Sequence, residues 1–516
     1  MMAHLTFDAG KPGNAVSNIA KAVCIWDYRT FLNGGAFGSM AEGAFKARCP
    51  FIEYAVMMTF TGGAGRGEFY LEDENRQPYY DFAPAVEALK NVLRQGLKPI
   101  IVIGNVPYYM SKKQHSEYDS YEWGNRCAPD DWDVYHAYIL AFAEMLRDNF
   151  PMEEIRTWPF RVGTEPDNDH WWTPGEEGYW KLYDYTVDAL QKGLGREKLT
   201  IFSGNLSRIE LFDDFYRHCH SGVNLCTGET GTQNDAMSIS HYNDINPEGP
   251  CEYYDLRNCL YFVRGRMDKL CPGMVKSFNV GEGQFIMDGG KPAMRLAMAQ
   301  DASSYSASWT AHMFDAMTEQ GFEYFANWAW AADWFYTKED FLPIPAWYPA
   351  KFMQEMAGGK RIAAEGFVLN KVGNTVGGFG SLKEDGTLRL MLYNHNLDRA
   401  DSDETLTVTL RGLNGAYTCE AEQIDASTCF FKDWEAKSSH IRRASRDVDI
   451  ATVGSMYDSD IQSILKAEDK AFWRSMKAKY AEQPQTVRYP LDVMDGAFTL
   501  TMPGHSVVML TLTPNN

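Results

Sequence analysis

The sequence predicts an α/β fold, a (β/α)8 TIM barrel followed by a C-terminal antiparallel β-sandwich domain. Three observations point there. Eight short β-like runs recur at roughly the 30–60-residue spacing of βα units carrying insertions. Amphipathic helical patterns lie between them, and alternation of this kind means a parallel sheet. After about Gly366 the runs become short and alternating, with turn residues between them, which is the pattern of a sandwich.

The β-like runs are Ala22–Asp27, Ile52–Phe60, Lys98–Val106, Phe160–Glu165, Leu199–Asn205, Ser238–Asn243, Lys276–Gly283 and Phe322–Trp330. Eight units with no leftover edge favour a closed barrel over an open sheet. Helical patterns cover Pro84–Gln95, Asp131–Phe150, Tyr179–Gly195, Glu252–Leu270, Met294–Gln320 and Trp347–Met356. In the second of these, Trp132, Tyr135, Tyr138, Ile139, Phe142, Met145 and Leu146 share one face at 3- and 4-residue spacing. The sandwich runs are Thr387–Tyr393, Thr405–Leu410, Tyr417–Gln423, Ala497–Met502 and Ser506–Leu512. The domains are therefore a lead-in over 1–20, whose run Leu5–Phe7 could be a strand of the sandwich, a barrel over 21–360 and a sandwich over 361–516. A helical insertion near 432–482 carries Ile461, Ile464, Leu465, Phe472 and Met476 on one face, as an ornament, a lid or a dimer contact.

With 516 residues, 45% hydrophobic and 14% aromatic, the chain has material for a large core and more than one domain. A net charge of -20 repels nucleic acid and anionic membrane. Fourteen Trp and 28 Tyr suit a cleft in which sugar rings stack on aromatic faces, although most such residues serve cores. No apolar run has the length of a membrane span. The start, MMAHLTFDAGKPGN, lacks a basic segment followed by an apolar one; the expectation is a cytoplasmic protein, or a secreted one that has lost its leader. Ten scattered cysteines favour free thiols, with a Cys419–Cys429 pair left open. His218-Cys219-His220 with Cys226 does not have zinc spacing, because adjacent residues cannot all turn to one ion. No metal and no cofactor are expected.

Two stretches carry the chemistry. Phe278–Phe285 reads FNVGEGQF, a short strand running out into Glu282 between two glycines. Phe160–Asn168 reads FRVGTEPDN and delivers Glu165 in the same way. Glycines beside Glu282 permit close approach and withhold covering side chains. In a closed parallel barrel, catalytic groups sit at the C-terminal ends of strands. Two carboxylates held ~5 Å apart there are what retaining glycoside hydrolysis requires. TGGAGRGE at Thr61–Glu68 evokes a phosphate loop, but it lacks GxxxxGK[ST] and its acidic neighbours repel phosphate.

With RVGTEPDN ending strand four and FNVGEGQF ending strand seven, and with SISHYND and FANWAW, the chain resembles the retaining glycoside hydrolases of clan A. Barrel followed by sandwich is most similar to family 39, the β-xylosidase and α-L-iduronidase family. The resemblance implies Glu282 as nucleophile and Glu165 as acid/base, and it implies Tyr242 as a hydrogen-bond donor to the nucleophile. His241, Trp328 as a sugar platform, Asn105, Asn205, Trp26 and Asp27 are further candidates for substrate contacts. Each competes with an ordinary role: loop capping for Asn, core packing for Trp and Tyr. One departure is Thr164, where clan A commonly has an Asn that contacts the sugar 2-hydroxyl. Gly281 before Glu282 is a second. The expected activity is exo-acting release of terminal sugars from short oligosaccharides. An endo-glycanase, a transglycosidase or a carbohydrate-binding protein on the same frame are the alternatives, and a homo-oligomer is left open.

Overall fold

The computed structural model describes residues 3–62, 69–113, 124–207, 212–244, 256–286, 303–328, 342–366, 368–369, 375–396, 402–413, 415–433 and 467–515. Eight parallel strands form the barrel: Ala22–Ile25, Tyr54–Met57, Lys98–Ile103, Pro159–Val162, Thr200–Ser203, Ala236–Asp244, Ser277–Ile286 and Phe325–Asn327. They are numbered one to eight here. Strand one pairs with both two and eight. The remaining seam, between five and six, is closed beyond strand five by a parallel bridge from Leu206 to Ile239. Each of the eight runs read from sequence overlaps one of these strands, and strand seven runs on past Glu282 to Ile286.

Helices pack around the outside. Trp132–Asn149 shows why such a segment is helical. Asp131 caps its N-terminus by accepting from the Asp133 and Val134 amides, and Phe150 followed by Pro151 ends it. Tyr135, Tyr138, Ile139, Phe142, Met145 and Leu146 are buried as the periodicity requires, and each fully buried side chain contributes about 1.5–3 kcal/mol before entropy is charged. The helix Asp213–Ser221 was not anticipated, because its polar composition hides a buried side formed by Phe215, Tyr216, His218 and Cys219.

The sandwich takes in a strand from the first residues of the chain, where the run Leu5–Phe7 suggested one. Strand Ala3–Asp8 lies within it, antiparallel to Lys360–Glu365 and parallel to Glu404–Arg411. Ala3, Leu5 and Phe7 are buried there with Leu406, Val408, Leu500 and Leu510. Four strands of this sheet escaped the sequence reading: Lys360–Glu365, Val368–Leu369, Thr375–Leu382 and Val487–Pro490. Thr375–Leu382 contains three glycines, and a Cβ at Gly377 would lie 2.5 Å from the Tyr393 hydroxyl. Lys360–Glu365 buries only Ile362 fully. Helix Ala467–Glu482 packs Met476 and Tyr480 inward, and the Tyr480 hydroxyl donates to Asp433 at 2.8 Å. Ile461, Ile464 and Leu465 lie outside the described residues, as do Trp330 and most of TGGAGRGE. All nine cysteines among the described residues are free thiols, Cys419 and Cys429 included.

Barrel and sandwich meet at helix Ser304–Gln320. The Arg361 guanidinium pairs with Asp315 at 2.5 Å, and the Tyr393 hydroxyl donates to Asp315 at 2.8 Å. Next to them His395 is buried, hydrogen-bonded to Ser308 at 2.8 Å and surrounded by the rings of Tyr305, His312 and His505. Burial, followed by the neighbouring His312 and His505, holds the His395 imidazole well below its ordinary pKa. An unfolded chain takes up this proton below about pH 6.5, whereas the folded chain resists it. His395 therefore favours the folded state above that pH, and the advantage is lost at about 1.4 kcal/mol per pH unit as pH falls below it. Melting temperature is expected to drop between pH 7 and pH 5, and to drop less in His395→Asn.

Candidate active site

The nucleophile candidate is placed by a bulge. Val280 pairs with Ile239, but Glu282 pairs with Ser240, so Gly281 is an extra residue. Val280 packs outward against the helices. Without the bulge, alternation would send Glu282 the same way. With it, Glu282 shares the inner face with Ser240. The glycines on either side answer to the protein's own packing. A Cβ on Gly281 would lie 2.2 Å from Ser238 Oγ and 2.9 Å from Arg161 Nη1, and one on Gly283 would lie 2.4 Å from the His241 carbonyl. The close approach expected at Glu282 is thus made by neighbouring strands.

Arg161 explains why Gly281 is needed. It lies on strand four between Phe160 and Val162, which face the helices, so its guanidinium points into the barrel and is buried. It donates to the Gly281 carbonyl at 3.0 Å, to Thr164 Oγ1 at 3.2 Å and to Met58 Sδ at 3.0 Å. Thr164 is therefore held by Arg161.

Glu165 follows at the end of strand four with φ 39°, a left-handed conformation that costs a non-glycine residue of order 1–3 kcal/mol. Its amide donates to the Asn205 carbonyl at 3.0 Å. Ser240 Oγ donates to Glu165 Oε1 at 2.6 Å, and Asn168 Nδ2 donates to Oε2 at 2.9 Å. On Glu282, the Tyr242 hydroxyl donates to Oε1 at 2.5 Å and Asn205 Nδ2 to Oε2 at 3.3 Å.

The two carboxyls are buried but differ electrostatically. Burial, then the charge of Glu282, push the Glu165 carboxyl up to about 7. Burial also raises Glu282, but the Tyr242 hydroxyl, the Arg161 charge and the Asn205 amide all favour its ionised form. Both are raised, but only Glu165 is pushed up by a neighbouring carboxylate and only Glu282 has a cation beside it, an asymmetry of the kind that acid/base and nucleophile need. Replacing Tyr242 by Phe removes one donor from Glu282. A fall in kcat of about 10²-fold is expected from steady-state rates, comparable to loss of a single donor at a reacting oxyanion.

The other candidates are distributed as follows. Trp26 is buried at the barrel's inner face, edge-on to Trp171 with ring centroids 5.7 Å apart. Asp27 caps the turn Tyr28–Phe31 and pairs with Arg29 at 2.8 Å. Asn105 Nδ2 donates to the Asn125 carbonyl at 2.8 Å, and both border a small cavity with Thr164 and Trp171. The Asn205 amide is engaged with Glu282 and Ser240 rather than simply open to a sugar hydroxyl. His241 is buried, and alternation sets it opposite to Ser240 and Tyr242. Trp328 is half-buried, and its amide donates to the Gly283 carbonyl at 2.9 Å, beside Glu282 in the chain.

Three residues of the site were not singled out from sequence: Arg161, Asn168 and Ser240. Arg161 was detectable as a charge at an inward position of an apolar strand, and Ser240 by lying two residues before Tyr242, on the same face. Among the described residues, His136, Asp188 and Cys226 have ligand atoms within 4.8 Å of one another. Asp188 already accepts from His136 at 2.6 Å and pairs with Lys192 at 2.7 Å, so a cation there would compete with an ammonium. His218 is bonded to Asp184 at 2.9 Å and stacks on Trp180, and so does not join Cys226.

A closed (β/α)8 barrel with a sandwich, and a buried glutamate pair, one just past strand four and one within strand seven, match the arrangement expected of the glycoside hydrolase class. Within that class the likeness is to family 39: residues 67–246 match the model for glycosyl hydrolases family 39. A β-xylosidase of Geobacillus stearothermophilus is 27% identical over 120 residues, an alignment covering 23% of each chain. The crystal structure of a monomeric β-xylosidase from Caulobacter crescentus CB15 superposes with a TM-score of 0.69 at 16% identity over the full length of both chains. The GH39 enzyme from Xanthomonas axonopodis pv. citri gives 0.67 at 14% identity, covering 100% of this chain and 98% of that one. Among the described residues no helix is long and apolar enough to cross a membrane.

Proposed function

We propose that the protein is a retaining, exo-acting glycosidase that removes terminal sugars from short oligosaccharides, with β-xylosides as the first substrates to test. The observation that carries this reading is the buried carboxyl pair, Glu165 just past strand four and Glu282 within strand seven, with the Tyr242 donor and the Arg161 charge acting on Glu282 and the charge of Glu282 acting on Glu165. In the first step ionised Glu282 attacks the anomeric carbon while Glu165 protonates the departing oxygen, leaving a glycosyl ester on Glu282. Esterification removes the negative charge that raises Glu165, so its pKa falls. Glu165 can then take a proton from the water that cleaves the ester.

The exo reading draws on the insertions after strands two and three. A hairpin, Tyr70–Glu72 with Pro78–Tyr80, follows strand two, and Lys112 from the strand-three insertion pairs with its Glu72. Loops joined in this way can wall a pocket, which suits terminal units. The test is hydrolysis of aryl xyloside, arabinofuranoside, arabinopyranoside, galactoside, glucoside and iduronide, followed by product analysis on a short oligosaccharide. Turnover of one glycoside with release of single terminal sugars is the expected result. Internal cleavage would replace exo by endo action, and binding without turnover would make the protein a carbohydrate-binding module.

A further inference from the structure

Glu165 and Glu282 are joined by a continuous hydrogen-bonded path that the mechanism above does not use. Asn205 Nδ2 has two N–H groups. It lies 3.3 Å from Glu282 Oε2 and 2.7 Å from Ser240 Oγ, and Ser240 Oγ is in turn 2.6 Å from Glu165 Oε1. An amide nitrogen can only donate. The Ser240 oxygen must therefore accept from Asn205, which leaves the serine proton directed at Glu165. Asn205 is fully buried and comes from beyond strand five, while Ser240 comes from strand six. The path thus crosses the barrel seam closed by Leu206 and Ile239.

We propose that Ser240, oriented by Asn205, is a positioning residue that holds Glu165 in its base form during the second step. The inference rests on the glycosidase reading for its catalytic meaning, but not for its geometry. A hydroxyl fixed as a donor stabilises a carboxylate and disfavours the carboxylic acid. Other groups acting on Glu165 are Asn168, Glu282, Asp167 and Tyr242. Asn168 also donates, while Glu282 and Asp167 are acidic and oppose ionisation. Ser240 therefore offsets the charge of its neighbours. Its direction is set by an amide that is itself held by the nucleophile.

The test uses Ser240→Ala on the full chain with a dinitrophenyl glycoside, for which the second step limits kcat. Without the serine donor Glu165 keeps its proton to higher pH. The acid limb of kcat on this substrate, and the basic limb of kcat/KM on an alkyl glycoside whose departure needs the acid, should both move alkaline by about one pH unit. The variant would then lose about 5- to 10-fold in kcat on the acid side and retain kcat/KM on the alkaline side. A merely structural lesion lowers both quantities without moving either limb, and that result would overturn the proposal, as would unchanged profiles. Ser240→Thr should restore the wild-type limbs. A readout independent of turnover is the ¹³C titration of Glu165 in labelled protein, assigned by its loss in Glu165→Gln. Its midpoint should rise in Ser240→Ala, and Asn205→Ala should shift it more in the wild-type background than in the Ser240→Ala background, where only its bond to Glu282 is left to act. Additive effects of the two substitutions would overturn the path. If Ser240→Ala does not fold, Ser240→Cys, a weaker donor of similar size, reads the same way. Absence of wild-type turnover would remove the glycosidase reading, and the titration would still decide the bridge.

Discussion

Glu282→Ala is expected to lower turnover of the active aryl glycoside by about 10⁴-fold or more, the scale on which a covalent nucleophile acts when it works as a unit with its partners. The argument is geometric. Glu282 carries donors on both oxygens and has the buried Arg161 charge nearby, so no other described carboxylate at these strand ends is equally prepared to be an anion. Azide should partly restore the rate by occupying the vacated volume, and the glycosyl azide it forms should have the opposite anomeric configuration to the substrate. That product can be read by NMR. A variant as active as wild type would remove Glu282 from the mechanism, and an azide product of unchanged configuration would rule out attack from the face that Glu282 now occupies.

The second large effect belongs to Glu165→Gln, and it should depend on the leaving group. A dinitrophenolate departs without a proton, so kcat/KM for that substrate should stay near wild type. For an alkyl glycoside, departure needs the acid, and kcat/KM should fall by about 10²–10⁴-fold. Wild-type kcat/KM should decline above about pH 7, where Glu165 loses its proton, and the variant should lack that limb. Stability should move the other way. The folded chain holds this proton more tightly than the unfolded chain, whose glutamates titrate near 4.3. Glu165 therefore costs stability progressively as pH rises from about 4.3 to about 7. Glu165→Gln should melt higher than wild type at pH 8 while being the poorer catalyst, as expected where an active group is held in an unfavourable state.

Much of this molecule was legible in its sequence, for identifiable reasons. Barrel strands are short apolar runs bounded by turns, and a parallel sheet covered on both faces leaves them little freedom to look otherwise. The carboxylates were visible because each follows such a run with a glycine one or two residues before it, Gly281 for Glu282 and Gly163 for Glu165. Arg161 and Ser240 were harder, because their roles depend on which residues face each other across strands, and register is not written in either strand alone. The bulge at Gly281 is the clearest example: one added residue turns Glu282 from the helix side to the barrel interior. In the sandwich, Thr375–Leu382 was obscured by glycines that are there because Tyr393 and Leu390 fill the space a side chain would take.

Strand Ala3–Asp8 has a consequence for how the protein is made. Its parallel partner, Glu404–Arg411, lies roughly 400 residues later in the sequence. At about 5–20 residues per second, a ribosome needs about 20–80 s to supply it. Until Lys360–Glu365 emerges, late in that interval, Ala3, Leu5 and Phe7 have neither of their partner strands, although all three end almost completely buried. The barrel can assemble while this segment waits, but the sandwich cannot close until translation has passed residue 411. Expression of a fragment that stops after the barrel would leave an apolar strand with nothing to join, and such a fragment is expected to aggregate unless the first residues are removed with the sandwich.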